Sequence, residues 1–247
     1  VKSRKIGTVL AAFVVVALFL AGCTSPSLVH GASVSVAANQ AFFSYNPKTS
    51  YGNSTANSSI VSATNSQFNY YDNTPKLVRD ESFGSYQVVS RDPFRVKYTI
   101  RDGVKWSDGT PVDGADLLLA WAANSGNLNT RGFDASRYVD PQTGKYTAAF
   151  PRDVVHFDGF SGNGLQLVTK TPVIGDGGRS ITLSYDRYFV DWELVFGVGL
   201  PAHVVAGEAL GIKDHQAAKA AMIAAIDGKK QGQLEKISRR RWCLTAT

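Results

Sequence analysis

Apolar and polar residues alternate without exception from Phe94 to Arg101: Phe94, Val96, Tyr98 and Ile100 face one way, Arg95, Lys97, Thr99 and Arg101 the other. A period of two is strand geometry, and a single apolar face means a strand covered on one side. Two more segments read as strands, "LQLVTK" at 165–170 and "SITLSYDRYF" at 180–189, the latter alternating Ile181, Leu183 and Tyr185. A short strand is also expected where Val34 and Val36 alternate with serines, in a segment that ends at Pro47. Ile60, Thr64, Phe68 and Tyr71 fall at helical spacing behind a polar loop at 46–58, with Asn57 or Ser58 as cap. Two later helices carry their own punctuation. Residues 201–210 begin at Pro201 and stop at Gly211, and residues 215–226 begin after Asp214 and stop at Asp227 and Gly228. The stretch 124–164 is rich in Gly, Asn, Asp and Arg and reads as long loops with one short hairpin. Strands first and helices later imply an α/β fold, a mixed α+β lobe.

Between the clear strand and the next apolar run lies "VKWSDGTPVDGADLLLAW", which crowds Asp108, Asp113 and Asp116 among glycines. Such a cluster could serve a metal or acid/base chemistry, but each acid has an architectural role. Asp102-Gly103 and Asp108-Gly109 are turn steps, because glycine accepts the positive φ a tight reversal needs. Asp113 suits an N-cap, Asp116 returns the bond in a capping-box arrangement, and both meet the positive end of the helix dipole. Leu117, Leu118 and Trp121 then form the apolar face. A calcium loop needs alternating oxygen ligands and a closing Glu, which "DGTPVDGAD" lacks.

The first residues change the picture more than the overall composition does. "VKSRK" precedes fifteen uncharged residues and then "AGC", the layout of an export signal. Fifteen helical residues span about 22 Å, short of the roughly 30 Å hydrocarbon core. "LAGC" at 20–23 resembles the lipobox of bacterial lipoproteins, which implies lipidation of Cys23 and a two-chain anchor. The expected organisation is a lipoprotein signal peptide at 1–22, a lipidated tether at 23–33, a folded part at 34–236 and an off-pattern tail at 237–247. Only Cys243 remains once Cys23 is assigned, so no internal disulfide supports the core. The net charge of +6 resides at the ends. The first 22 residues hold three bases and no acid, and residues 229–247 hold six bases against Glu235, which leaves 23–228 at −2. A body of that charge is no binder of nucleic acid.

The run "FRVKYTIRDGVKWSDGTPVDGADLLLAW" strongly resembles the signature of the extracellular solute-binding proteins of ABC importers for peptides and nickel, family 5. Thr99-Ile100-Arg101 and Asp113-Gly114 are its departures, with the cap chemistry kept. "ANQAFFSYNPKTSYGNSTANSSIV" and "SYDRYFVDWELVFGVGLPAHVV" are similar to further segments of that family, so the resemblance covers roughly 34 to 236. It implies a periplasmic-binding-protein architecture of two lobes closing on a ligand. Here it covers only part of lobe I with its inserted subdomain. After Lys236, "ISRRRWCLTAT" leaves the pattern, and a truncated or frameshifted reading near the C-terminus is expected. The resemblance further implies a monomer held by its lipid on the extracytoplasmic face of the cell membrane. Its partners would be a peptide or other small solute and an ABC permease and ATPase complex; it would have no cofactor and no enzymatic activity.

The ligand-side candidates are Phe43, Ser44, Tyr45 and Asn46 in "FFSYNP", which combines aromatics with polar groups, and Trp192 in "VDWELVF". An ordinary loop and a packed tryptophan are the competing readings. A fragment that binds nothing stays open as an alternative function. A surface hydrolase built on His156, Asp158 and Ser161 is a weaker one, because "HFDGFSGNG" has no Gly-x-Ser-x-Gly elbow. The four histidines (His30, His156, His203, His215) lie far apart in sequence, without metal-ligand spacing, so no metal site is expected. "GVGLPAHV" lacks the third glycine of a dinucleotide fingerprint.

Overall fold

In the computed structural model the described residues are 31, 33, 35–159 and 163–240. Residues from Asn39 onward form one unit, and the few described residues before it carry no regular structure. The strand expected around Val34 and Val36 is therefore not seen among them, and Val36 is 86% exposed. Cys23, with its signal segment, and Ser161 lie outside the described residues. Among the described residues no helix is long and apolar enough to cross a membrane.

The alternating segment is the strand β4 (Phe94–Ile100) of a four-stranded antiparallel sheet, its apolar positions buried. β3 (Gly84–Arg91) pairs with it on one side and β6 (Ser180–Ser184) on the other, and β5 (Val173–Gly175) closes the order β3-β4-β6-β5. A separate two-stranded ribbon joins β1 (Asn69–Tyr71) to β2 (Leu77–Arg79). The segment at 165–170 is not a strand. Gly164 adopts a left-handed φ of 104°, and Leu165–Leu167 form a 3₁₀ turn that buries Leu165 and Val168 three residues apart.

The helix α2 (Gly114–Ser125) sits at the centre, and every one of its residues is buried. It is apolar on all sides because the sheet, α3 (Ala202–Leu210) and α4 (His215–Asp227) all pack on it. α1 (Thr55–Thr64) is shorter than the expected helix and is capped by Ser54, not Asn57 or Ser58. It stops at Asn65 because Phe68 belongs to the aromatic core, against Phe83 and Tyr98. α3 and α4 lie where their punctuation places them, with Pro201 and Asp214 as caps. α5 (Gln231–Arg240) continues through Lys236, where the pattern was expected to change, and buries Leu234 and Ile237. The hairpin expected in 124–164 is a single bridge, Val139 to Tyr146.

The acidic turn does what its residues suggest. Gly103 and Gly109 have φ of 82° and 86°, and Asp113 and Asp116 form a complete capping box. Asp116 also does more. Fully buried, it accepts the Asp113 and Ala202 N–H groups at 2.9 and 2.7 Å and the Lys219 ammonium at 3.0 Å. Burial raises its carboxyl pKa, a pull that the Lys219 charge only partly offsets. Lys219 Nζ also donates to the Pro111 carbonyl and pairs with Asp113, so one buried ammonium ties α4 to the start of α2.

Candidate functional site

The polar loop at 43–52 is organised by a side chain that the sequence presents as a mere cap. Asn57, buried on α1, accepts the N–H groups of Phe43 and Ser44 through Oδ1 and donates to the Gly52 carbonyl through Nδ2 at 2.8 Å. Ser44 Oγ accepts the Asn46 N–H, and Thr49 Oγ1 donates to the Asn46 carbonyl. The chain folds back so tightly that a Cβ on Gly52 would lie 2.1 Å from the Asn46 carbonyl oxygen, which only glycine avoids.

This loop forms one rim of a groove of about 390 Å³. Tyr45 and Asn46 lie on that rim, α1 contributes Ser58, Val61 and Ser62, and the segment Leu194–Gly199 makes the opposite wall. Gln67 and Asn69 fix that wall by donating to the carbonyls of Val198 and Glu193 at 2.9 and 2.8 Å. Phe196, Gly197, Val198 and Gly199 carry no regular secondary structure, and among the described residues their N–H groups make no backbone hydrogen bond. A wall whose N–H groups have no backbone partner, lining a groove with a tyrosine and amide side chains, is able to hold a main chain or another polar solute.

Of the residues expected to face ligand, the structure brings Tyr45, 52% exposed, and Asn46 together at the groove. Ser44 is wholly buried in the loop's own bonding, and Phe43 packs edge-on against Tyr51. Trp192 is set apart from the groove lining, against Tyr86 and Phe94. Gln67 and Asn69 were not singled out from the sequence, and Asn57 only as a helix cap. Their role depends on contacts up to 131 residues away, and no local pattern signals it.

Of the hydrolase candidates, His156 and Asp158 are described and Ser161 is not. His156 Nε2 meets the Tyr146 hydroxyl at 3.1 Å and lies 4.0 Å from Asp158, whose carboxylate instead accepts the Ser50 N–H and hydroxyl. Burial pushes the His156 pKa down, against the attraction of Asp158. His203 and His215, distant in sequence, come to a ring separation of 4.6 Å beside Asp108.

No family model matches the chain. It is 34% identical over 157 residues to an uncharacterized lipoprotein of Mycobacterium tuberculosis, an alignment covering 62% of this chain and 27% of that protein. An uncharacterized lipoprotein of Mycobacterium leprae is 29% identical over 201 residues, 81% of this chain and 31% of its own length. The chain thus spans about a third or less of the curated relatives it matches. Among solved structures it is similar to the periplasmic EDTA-binding protein EppA, with a TM-score of 0.53 and 18% identity over 74% of this chain and 29% of that one. The mixed α/β fold is thus similar to part of that periplasmic binding protein, and the two mycobacterial relatives are lipoproteins.

Proposed function

We propose that the chain is the solute-binding part of a lipid-anchored ABC importer component, taking peptides or similar polar solutes to a membrane permease and doing no chemistry itself. The observation that carries this reading is the Phe196–Gly199 wall. Its N–H groups make no backbone hydrogen bond among the described residues, and it lines one groove with Tyr45 and Asn46, its carbonyls held by Gln67 and Asn69. An extended peptide supplies the carbonyls such a wall lacks, whatever its side chains, and the resemblance to family 5 points to the same ligand class. The groove is one wall of the cleft; a second lobe closing over it would desolvate those bonds.

Calorimetric titration of the folded chain with mixed tri- to pentapeptides tests this. Saturable binding that Tyr45→Ala weakens is the expected outcome, whereas silence from a folded sample favours a chain that binds nothing. Mass spectrometry of the same mixtures should find the peptides intact, and cleavage would restore the hydrolase reading. The anchor has a separate check. Cys23→Ala should release the protein from membranes, and continued membrane association after signal processing would contradict lipidation there.

A further inference from the structure

Three side chains that the groove does not use converge where the acidic turn meets the first turns of α3 and α4. Asp108 is fixed by the Thr110 N–H at 2.9 Å, and its Oδ2 lies 2.8 Å from His203 Nε2 and 4.0 Å from His215 Nδ1. One donor atom from each of the three lies within 4.8 Å of the other two. The His203 side chain is wholly buried, and its Nδ1 has no partner among the described residues. His215 is half exposed, with Nδ1 2.8 Å from the Thr110 hydroxyl. Both histidines border an open cavity of about 420 Å³ whose wall includes Gly207, Glu208 and Gly211.

We propose that Asp108, His203 and His215 form a binding site for a borderline divalent cation of the zinc type. Two imidazoles and one carboxylate are the donors such ions take, whereas calcium and magnesium require oxygen sets. Tetrahedral coordination at about 2.0–2.1 Å per bond sets the donors roughly 3.3 Å apart, so the His215 donor, now 4.0 Å from Asp108 and within 4.8 Å of His203, must move in while the 2.8 Å Asp108–His203 pair opens slightly. His215 supplies that movement. It is the first residue of α4, and side-chain rotation costs it only the Thr110 bond. His203 and Asp108 are already in contact: the cation replaces the hydrogen bond between them, with Nε2 as the ligand atom and the neutral ring's one proton carried on Nδ1. Three protein ligands leave a fourth position for water or a solute facing the cavity. Lys213 lines the same cavity and opposes a cation, so the site is expected to be weaker than a closed structural zinc site. The proposal is independent of the peptide reading, because none of its residues lines the groove.

The test is titration of the full chain with zinc chloride in competition with a chromogenic chelator, alongside thermal unfolding. One equivalent should bind with a Kd of about 1–10 μM, and His215→Ala should weaken it at least 10-fold. Because His215 is half exposed, that variant should melt like the parent without zinc, and zinc should raise the melting temperature of the parent alone. Asp108→Asn should weaken binding too, and His156→Ala should not. Absence of binding at millimolar zinc would overturn the proposal, as would binding that His215→Ala leaves unchanged. Neither result bears on peptide capture.

Discussion

The two helices that follow polar turns, α1 and α2, are held in opposite ways. α2 buries all its residues from Gly114 to Ser125, whereas α1, from Thr55 to Thr64, buries only Ala56 and Asn57. Around α2 several buried polar groups are bonded into the core, among them Asp116, Lys219 and the Trp121 indole. Around α1 the loop at 43–52 and the wall at 193–199 hang on single amide side chains, Asn57, Gln67 and Asn69. The first region is fixed by apolar burial and would keep its form without ligand. In the second, Phe196 and Val198 root the wall in the core, while α1 buries little and the loop rests on hydrogen bonds, a surface that opens at lower cost than the α2 core.

Substitutions in α2 should therefore unfold the whole chain, and those around α1 should loosen only the groove. Trp121 is buried, and its Nε1 donates to the Val168 carbonyl at 2.9 Å. Trp121→Ala should cost about 4 kcal/mol, chiefly from the cavity because the Val168 carbonyl keeps its bond from Asn127, read as a lower urea midpoint. Asp116→Ala comes next, at about 3 kcal/mol, because Lys219 stays buried with Asp113 as its remaining carboxylate partner. Equal losses from α1 variants would break the contrast.

Asn57→Ala removes three hydrogen bonds, yet it should cost only about 2 kcal/mol because the loop can open and rehydrate the freed groups. Hydrogen exchange should show faster exchange at the Phe43 and Ser44 amides while the amides of β4 keep their protection. Accelerated exchange in β4 would mean that the loop and core unfold as one unit.

What the sequence makes legible follows the same division. β4, the Asp113–Asp116 capping box, and the punctuation of α3 and α4 come from local chemistry, and local chemistry is written in neighbouring residues. β3 escapes because its alternation is broken: a register shift between Val88 and Ser90 leaves Val88 and Val89 exposed. Ile60, Thr64, Phe68 and Tyr71 mimic one helix because a helix and an aromatic strand approach share a spacing by coincidence; Ile60 is in fact exposed. The groove is half legible. Tyr45 and Asn46 stand out as an aromatic and polar pair in a loop, while the opposite wall, more than 140 residues on, has nothing local to mark it. The Asp108, His203 and His215 cluster is wholly tertiary, assembled from a turn and two helix starts.

Gln67 offers the finest separation of stability from function. Its amide makes one partly buried bond to the Val198 carbonyl, so Gln67→Ala should lower stability by only about 0.5–1 kcal/mol. That bond nevertheless holds the middle of a wall whose N–H groups are the proposed ligand donors. Freed from Gln67, the wall must be ordered at the moment of binding, and that ordering is charged against affinity. Peptide affinity should therefore fall by more than the stability does, with a shorter residence time as the visible sign. A substitution that lowers stability and affinity by the same small amount would make Gln67 an ordinary packing residue, and the wall stiff without it.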